Sequence, residues 1–207
     1  MNATPSAAAA TWNQRYAGQD QLFGAEPNEY LRLQAACFAA GDRVLCVADG
    51  DGRNSVWLAQ QGMQLDAFDI SDVGVAKARQ LAAQAQVAVN YSVANCDQWP
   101  WPHATYDAVV AIFVQFADPA MRERLFAHMV QALKPGGVLV LQGYTAKQLE
   151  YKTGGPPILS HLYTPEMIRS AFADLHIIEL RDYEAVLSEG VAHSGQSALL
   201  GLLARKP

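Results

Sequence analysis

The chain has 207 residues, 51% of them hydrophobic and 17% charged, with a formal net charge of −5. This composition excludes a disordered chain, and without clustered Lys and Arg it excludes a nucleic-acid surface, because affinity for phosphates comes from such clusters. No segment approaches the roughly 18 to 20 consecutive apolar residues of a membrane span, and Met1 to Ala10 lacks the basic opening of a secretory signal, so an uncleaved soluble protein with a small-molecule partner is expected.

Residues 1–40 carry Trp12, Tyr16, Phe23 and Tyr30 with polar residues between them, which reads as an arm rather than a core helix. From Arg43 onward, short β-branched runs alternate with longer alanine-rich stretches, the pattern of strand-helix units in a parallel sheet. Arg43 to Val47 reads as a strand, Asn54 to Gln61 as a helix, Gln64 to Asp69 as a strand, Val73 to Gln84 as a helix and Ala88 to Val93 as a third strand. Tyr106 to Phe113 is apolar nearly throughout, as suits a central parallel strand covered on both faces. A helix is predicted from Pro119 to about Leu133, broken by Lys134-Pro135-Gly136-Gly137, after which Val138 to Gln142 reads as a fifth strand. A long connection, Gly143 to His161, precedes a helix that Thr164-Pro165-Glu166 opens with an N-cap and a proline in the first turn, and that runs to about Ala173. Ile177 to Ala185 and Gln196 to Arg205 are separated only by a turn-like Ser188 to Ser194, too short for a parallel crossover, so they are predicted to pair antiparallel. The expectation is one α/β domain over residues 41–207, with a mostly parallel seven-stranded sheet, helices on both faces and a closing antiparallel hairpin.

The chemistry concentrates in Val44-Leu45-Cys46-Val47-Ala48-Asp49-Gly50-Asp51-Gly52-Arg53-Asn54, where a strand leads into a glycine-rich turn and then a helix. Gly50 and Gly52 remove side chains where a ligand must approach the backbone, and the helix N-terminus offers unpaired N–H groups. Asp69 closes the second strand, where an acid in this topology accepts hydrogen bonds from ribose hydroxyls. A nicotinamide dinucleotide would use a third glycine, but Ser55 stands there, and Asp49 and Asp51 would repel a diphosphate. A nucleoside that carries positive charge and no phosphate suits the turn better, with Asp49 the candidate for its charged end. Cys37, Cys46 and Cys96 form no C-x-x-C pair, so no metal site is expected and a reducing cytoplasm is the expected location.

Val44 to Ser71 resembles the first two motifs of small class I methyltransferases related to the tellurite-resistance and thiopurine methyltransferases. Trp12-Asn13-Gln14-Arg15-Tyr16 and Phe23-Gly24-Ala25-Glu26-Pro27-Asn28 are similar to the N-terminal arm of the bacterial members, and Lys134-Pro135-Gly136-Gly137 resembles the loop before strand 5 in the wider superfamily. The resemblance implies the Rossmann-like class I methyltransferase fold and S-adenosylmethionine as cofactor, with S-adenosylhomocysteine as its product. It implies that the turn of Asp49, Gly50, Asp51, Gly52, Arg53 and Asn54 holds the methionine part, and that Asp69, with Ile70 and Ser71 beside it, holds the ribose. The segment after strand 3 flanks the adenine, through Asn95 or the backbone of Cys96. Phe113 either borders the cofactor or packs under the next helix. Trp12, Tyr16 and Phe23 belong to an arm that either closes over the cofactor as a lid or simply packs against the domain.

The acceptor side is expected from the loops after strands 4 and 5 and from the final hairpin. A thiol or a selenium or tellurium oxyanion needs no base, whereas a hydroxyl or ammonium acceptor would make His193, Tyr144 or Glu189 the proton acceptor. A monomer or weak homodimer is expected. The competing readings are an NAD(P)-dependent oxidoreductase and a non-catalytic module that retains the S-adenosylmethionine pocket.

Overall fold

A computed structural model describes residues 6–18 and 22–207. The arm contributes α1 (Ala7–Ala17), capped by Ser6, and the short α2 (Glu29–Leu33), capped by Asn28. The domain then runs β1 (Arg43–Val47), α3 (Arg53–Gln60), β2 (Gln64–Asp69), α4 (Asp72–Gln84), β3 (Val89–Val93), β4 (Tyr106–Ile112), α5 (Pro119–Ala132), β5 (Leu133–Tyr144), α6 (Gln148–Tyr151), α7 (Pro165–Ala171), β6 (His176–Glu189) and β7 (His193–Arg205). These form one seven-stranded sheet in the order β3-β2-β1-β4-β5-β7-β6. The first five strands are parallel, and β7 pairs antiparallel with both β5 and β6.

Alternation along the central strands sends successive side chains to opposite faces, which is why both faces are apolar. Leu45, Val47, Val109, Ala111, Leu139 and Leu141 pack under α5 and α7 with Leu125, Phe126, Met129, Ile168 and Phe172. Val44, Cys46, Ala108, Val110, Val138 and Val140 pack on the other side with Leu58 of α3 and with Tyr30 and Leu31 of α2. Tyr30 is therefore a core residue, its hydroxyl donating to Glu179 at 2.9 Å, and its ring fills the space where Gly201 has no side chain.

Two stretches depart from the sequence expectation. Lys134-Pro135-Gly136-Gly137 does not separate a helix from a strand by a free turn: β5 already begins at Leu133, and its pairing with β4 jumps from Tyr106 opposite Leu133 to Ala108 opposite Val138. The four residues form a bulge because their polar groups find partners there, with Lys134 Nζ 2.8 Å from both Asp107 oxygens and Gly136 N donating to Lys206 O. The closing hairpin is also longer than predicted, with Glu189 opposite His193 and only Gly190 to Ala192 between them. Its tip is held by the arm, where Ala192 N donates to Leu22 O and Gly190 sits so close to Gly24 that a Cβ would lie 2.3 Å from Gly24 N.

Strand order reverses between β1 and β4, because the chain leaves β1 toward β2 on one side and returns through β4 on the other. In an open α/β sheet the crevice at the carboxyl ends of those two strands is where ligands sit. Among the described residues, no helix is long and apolar enough to cross a membrane.

Candidate active site

A cavity of about 430 Å³ opens at that reversal, lined by Ala48 and Asp49 after β1, Asp69 and Ile70 after β2, Asn95 and Cys96 after β3, and Phe113 after β4. Ala48 and Phe113 both hold left-handed backbone, with φ of 49° and 55°. Such a conformation costs a non-glycine residue about 1–3 kcal/mol and persists where surrounding packing dictates it, so both strands end in a bend that turns the chain around the cavity.

The β1 turn gathers three carboxylates. Asp69 is pinned by the backbone, with Gly50 N donating to one oxygen at 3.0 Å and Ser71 N to the other at 2.8 Å. Asp49 accepts a hydrogen bond from the Ser55 hydroxyl through Oδ2, while its Oδ1 is buried and has no partner. Burial, opposed by these hydrogen bonds and reinforced by the neighbouring carboxylates, pushes Asp49 up to about 7 and Asp69 up to about 6. Asp51 is raised as well by burial, against the pull of Arg53 and Lys77. Carboxylates crowded and desolvated in this way favour a cation as their missing partner.

The two glycines of the turn serve a different purpose from the one expected. A Cβ on Gly50 would lie 2.2 Å from the Tyr16 hydroxyl, and one on Gly52 would lie 2.7 Å from the Ala78 Cβ and 2.8 Å from the Tyr91 hydroxyl. They make room for the protein's own side chains, with φ of 65° and 90° as a second reason for glycine. Neither lines the cavity, and nor does Ser71, which caps α4 through Gly74 N and donates to Asn13 of the arm at 2.6 Å.

The arm closes one side. Trp12 and Tyr16, one helical turn apart, stack at 5.9 Å, and Phe23 meets Tyr16 at 6.1 Å. Phe23 lies 4.7 Å from the His193 ring, which in turn meets Phe113 at 4.2 Å and Tyr144 at 5.6 Å, while Phe113 stacks on Tyr144 at 4.7 Å. His193 is buried, its Nδ1 has no partner, and burial together with Arg53 and Arg15 depresses it to about 3, so the imidazole is neutral at neutral pH. The Tyr144 hydroxyl is also buried without a partner, and burial raises it above the ordinary phenol range.

Glu189 is brought near these residues but does not line the cavity. Its carboxylate takes Arg53 at 2.6 Å, the Asn28 side chain and the Glu29 backbone N–H, while Asn28 also reaches Gln142 at 2.6 Å. The carboxylate is thus a tie between the hairpin, the start of α3 and the arm rather than a group facing the cavity. Asn54 joins the same tie by accepting from Asn28 N, although Arg53 and Asn54 also line the cavity. Asn95 satisfies its own side chain on Gln98 and lines the cavity beside Cys96. Trp99 and Trp101 are packed in the fold, stacked on Phe68 and His128, and Asp97 pairs at the surface with Arg124.

Sequence reasoning missed Arg15, Asn28 and Gln142. Arg15 shares a face of α1 with Trp12 and lies over its ring at 4.4 Å, a relation that the three-residue spacing carries. Gln142 is a buried amide in an otherwise apolar strand, which is the local signal that it must have found partners.

Residues 44–137 match the methyltransferase domain family. The chain is 28% identical over 137 residues to a ubiquinone/menaquinone biosynthesis C-methyltransferase of Geobacter sulfurreducens, covering 64% of this chain and half of that protein's length. Its fold matches the N-methyltransferase NodS from Bradyrhizobium japonicum, solved with S-adenosylhomocysteine, at a TM-score of 0.74 and 16% identity over 98% of this chain and 100% of the other. TehB from Haemophilus influenzae matches at a TM-score of 0.71 and 15% identity, over 86% of this chain and 62% of the other. The seven-stranded sheet with its antiparallel hairpin is the class I methyltransferase fold.

Proposed function

We propose that the protein is an S-adenosylmethionine-dependent methyltransferase acting on a small molecule. The observation that carries this reading is the set of buried carboxylates at the β1 turn, with Asp49 Oδ1 lacking any partner. A sulfonium nucleoside with an ammonium group fits such a site, and a dinucleotide diphosphate does not. The domain match over residues 44–137 and the likeness to a structure holding S-adenosylhomocysteine support it further.

Asp49 would take the amino group, Asp69 the ribose through the lone pairs its backbone bonds leave free, and the Asn95–Cys96 segment the adenine side. When bound, the cofactor supplies an electrophilic methyl group on a positively charged sulfur. The chain's own task is to align the acceptor and keep water away, and α1 with Phe23 acts as the lid that does the second. The acceptor is a thiol, hydroxyl, or selenium or tellurium oxyanion. Kinship with the tellurite-resistance and thiopurine group rests on the arm motifs Trp12 to Tyr16 and Phe23 to Asn28.

Calorimetric titration with S-adenosylhomocysteine and with NADH tests the reading, followed by transfer of labelled methyl to candidate acceptors. Binding of S-adenosylhomocysteine alone, with turnover, is expected. Binding of NADH instead would return the protein to the oxidoreductases, and S-adenosylhomocysteine binding without turnover across thiols, phenols, selenite and tellurite would make it a sensor. Removal of residues 1–24, which spares the buried Asn28 and Tyr30, tests the lid: equal affinity and turnover in a folded product would dismiss it.

A further inference from the structure

The carboxylate end of the cavity rests on a chain of hydroxyl groups that reaches it from an outer strand. Ser55, in the first turn of α3, is fully buried, and its hydroxyl donates to Asp49. The Tyr91 hydroxyl of β3 lies 2.8 Å from the same Ser55 oxygen, and Gly52 O lies 3.2 Å from it. A serine hydroxyl has one proton and two lone pairs. When that proton goes to an ionised Asp49, Tyr91 is the donor to Ser55, because burial and the nearby Asp49 charge keep the phenol protonated. Tyr91, Ser55 and Asp49 then run donor to acceptor in one direction, and each bond polarises the next. When Asp49 is protonated, its own O–H can serve Ser55, and the serine proton turns to Gly52 O. The fold reserves space for this chain: a Cβ on Gly52 would lie 2.8 Å from the Tyr91 hydroxyl, so the glycine at the start of α3 opens the path from β3 to Ser55.

We infer that Tyr91 is a positioning residue for the cofactor: through Ser55 it holds the Asp49 carboxylate oriented and ionised, and so sets how strongly protons compete with the cofactor's ammonium group. This rests on the methyltransferase reading above. The other groups around Asp49 do not supply that support. Asp51 in its own turn and Asp69 from β2 oppose its ionisation, Arg53 and Lys77 act on Asp51, and burial keeps the Cys46 thiol of β1 and the Tyr16 phenol of α1 neutral. The interactions that favour the ionised form come from Ser55. With burial pushing Asp49 up to about 7, a weaker Ser55 bond shifts the balance toward the protonated acid at the pH where the cofactor must be held.

The test is calorimetric titration with S-adenosylhomocysteine between pH 5.5 and 8.5, in the parent, Tyr91→Phe, Ser55→Ala and the double variant. The parent's affinity is expected to rise about tenfold across that range, with protons released on binding, because an ammonium group selects the ionised carboxylate. Tyr91→Phe keeps the ring and removes only the hydroxyl; it should bind about threefold more weakly near pH 6.5 and equal the parent at pH 8.5. Ser55→Ala should lose about tenfold near pH 6.5, and adding Tyr91→Phe to it should change nothing further, since the phenol acts through the serine. In ligand-free protein, the carboxyl carbon of Asp49, identified by NMR through its loss in Asp49→Asn, should titrate at higher pH in Tyr91→Phe than in the parent. A loss in Tyr91→Phe that is equal at every pH, a loss that adds to that of Ser55→Ala, or an unmoved Asp49 titration makes Tyr91 a packing residue. Any of these overturns the inference and leaves the methyltransferase reading standing. Failure of S-adenosylhomocysteine to bind the parent at any pH removes both.

Discussion

The two ends of the cavity are built in opposite ways. The carboxylate end comes from one short span, Arg43 to Ser71, folded as a strand, a turn, a helix and a second strand, and its acids are held by partners within that span, Asp69 by the Gly50 and Ser71 N–H groups and Asp49 by the Ser55 hydroxyl. The ring end is assembled from Trp12, Phe23, Phe113, Tyr144 and His193, which meet only when the arm, two strand ends and the hairpin come together. A site built locally survives changes elsewhere in the fold, whereas a site built from distant segments depends on whatever fastens them. Here the fastening is the buried cluster of Arg53, Glu189, Asn28 and Gln142.

The largest expected effect breaks that fastening. Arg53 and Glu189 are 6% and 9% exposed and 2.6 Å apart. Removing one partner leaves a buried charge without its counter-ion, at a cost of about 3–5 kcal/mol. Arg53→Ala should lose that much stability in denaturant unfolding, and Arg53→Met with Glu189→Leu should recover most of it, because the pair is then replaced by packing. A loss below about 1 kcal/mol for Arg53→Ala would class the pair with surface ion pairs and detach the ring end from the clasp.

Next in size is the carboxylate end itself. Asp49→Asn keeps the Ser55 hydrogen bond available but removes the charge, and S-adenosylhomocysteine affinity should fall about a hundredfold, or about 2.7 kcal/mol. Stability should move the other way. With Asp49 raised to about 7 and Asp69 to about 6 from an ordinary 3.8, the folded chain holds more protons than the unfolded one between those values. Their contribution is full below the ordinary carboxylate range and is lost as pH rises through 6 and 7. Ligand-free Asp49→Asn should therefore gain on the parent in thermal unfolding between about pH 5 and pH 8. S-adenosylhomocysteine should raise the parent's Tm more at the upper end of that range. A parent that gains on the variant with rising pH would show that Asp49 already has a cationic partner.

The contrast between the two ends also explains what the sequence revealed. The succession of strands and helices along the chain, the antiparallel closure and the β1 turn were legible because hydrophobic periodicity, glycines and terminal acids are local signals, with Asp49 just after the first strand and Asp69 at the end of the second. The length of the hairpin was not, because Gly190 to Ala192 is shaped by contact with Leu22 and Gly24, more than 160 residues earlier. Glu189 illustrates the same limit: its charge in a turn suggested proton transfer, and only the folded chain shows Arg53 and Asn28 taking both oxygens. The bulge at Lys134 to Gly137 looked like a breaker because its partners, Asp107 and Lys206, are invisible to a local reading.

A smaller effect joins the two ends at Gly50, whose missing side chain lets Tyr16 lie on the turn. Gly50→Ala adds a Cβ at positive φ and against the Tyr16 hydroxyl, at a combined cost of about 1–3 kcal/mol. Tyr16→Phe removes the atom at 2.2 Å and leaves the ring carbon at 3.1 Å, so the double variant should recover part of the loss. Additive costs in denaturant unfolding would mean that the strain lies in the backbone alone and that the arm does not press on the turn.

The smallest effect expected is at His193, and its size discriminates between two roles. A general base supplies a factor of about 10²–10⁴, and to do so at neutral pH it must start unprotonated yet bind a proton with an affinity matched to that pH. Burial among Phe23, Phe113 and Tyr144, with Arg53 and Arg15 nearby, keeps this imidazole neutral with its proton affinity near 3, which suits a ring that orients a neighbour and not one that stores a proton. His193→Gln retains a polar amide in place of the imidazole and should lower kcat/KM by less than tenfold, mainly through KM, with no change in the shape of the pH profile. A drop of a hundredfold or more in kcat would transfer the acceptor's proton to the hairpin, and the ring end of the cavity would then be a shelter for a base.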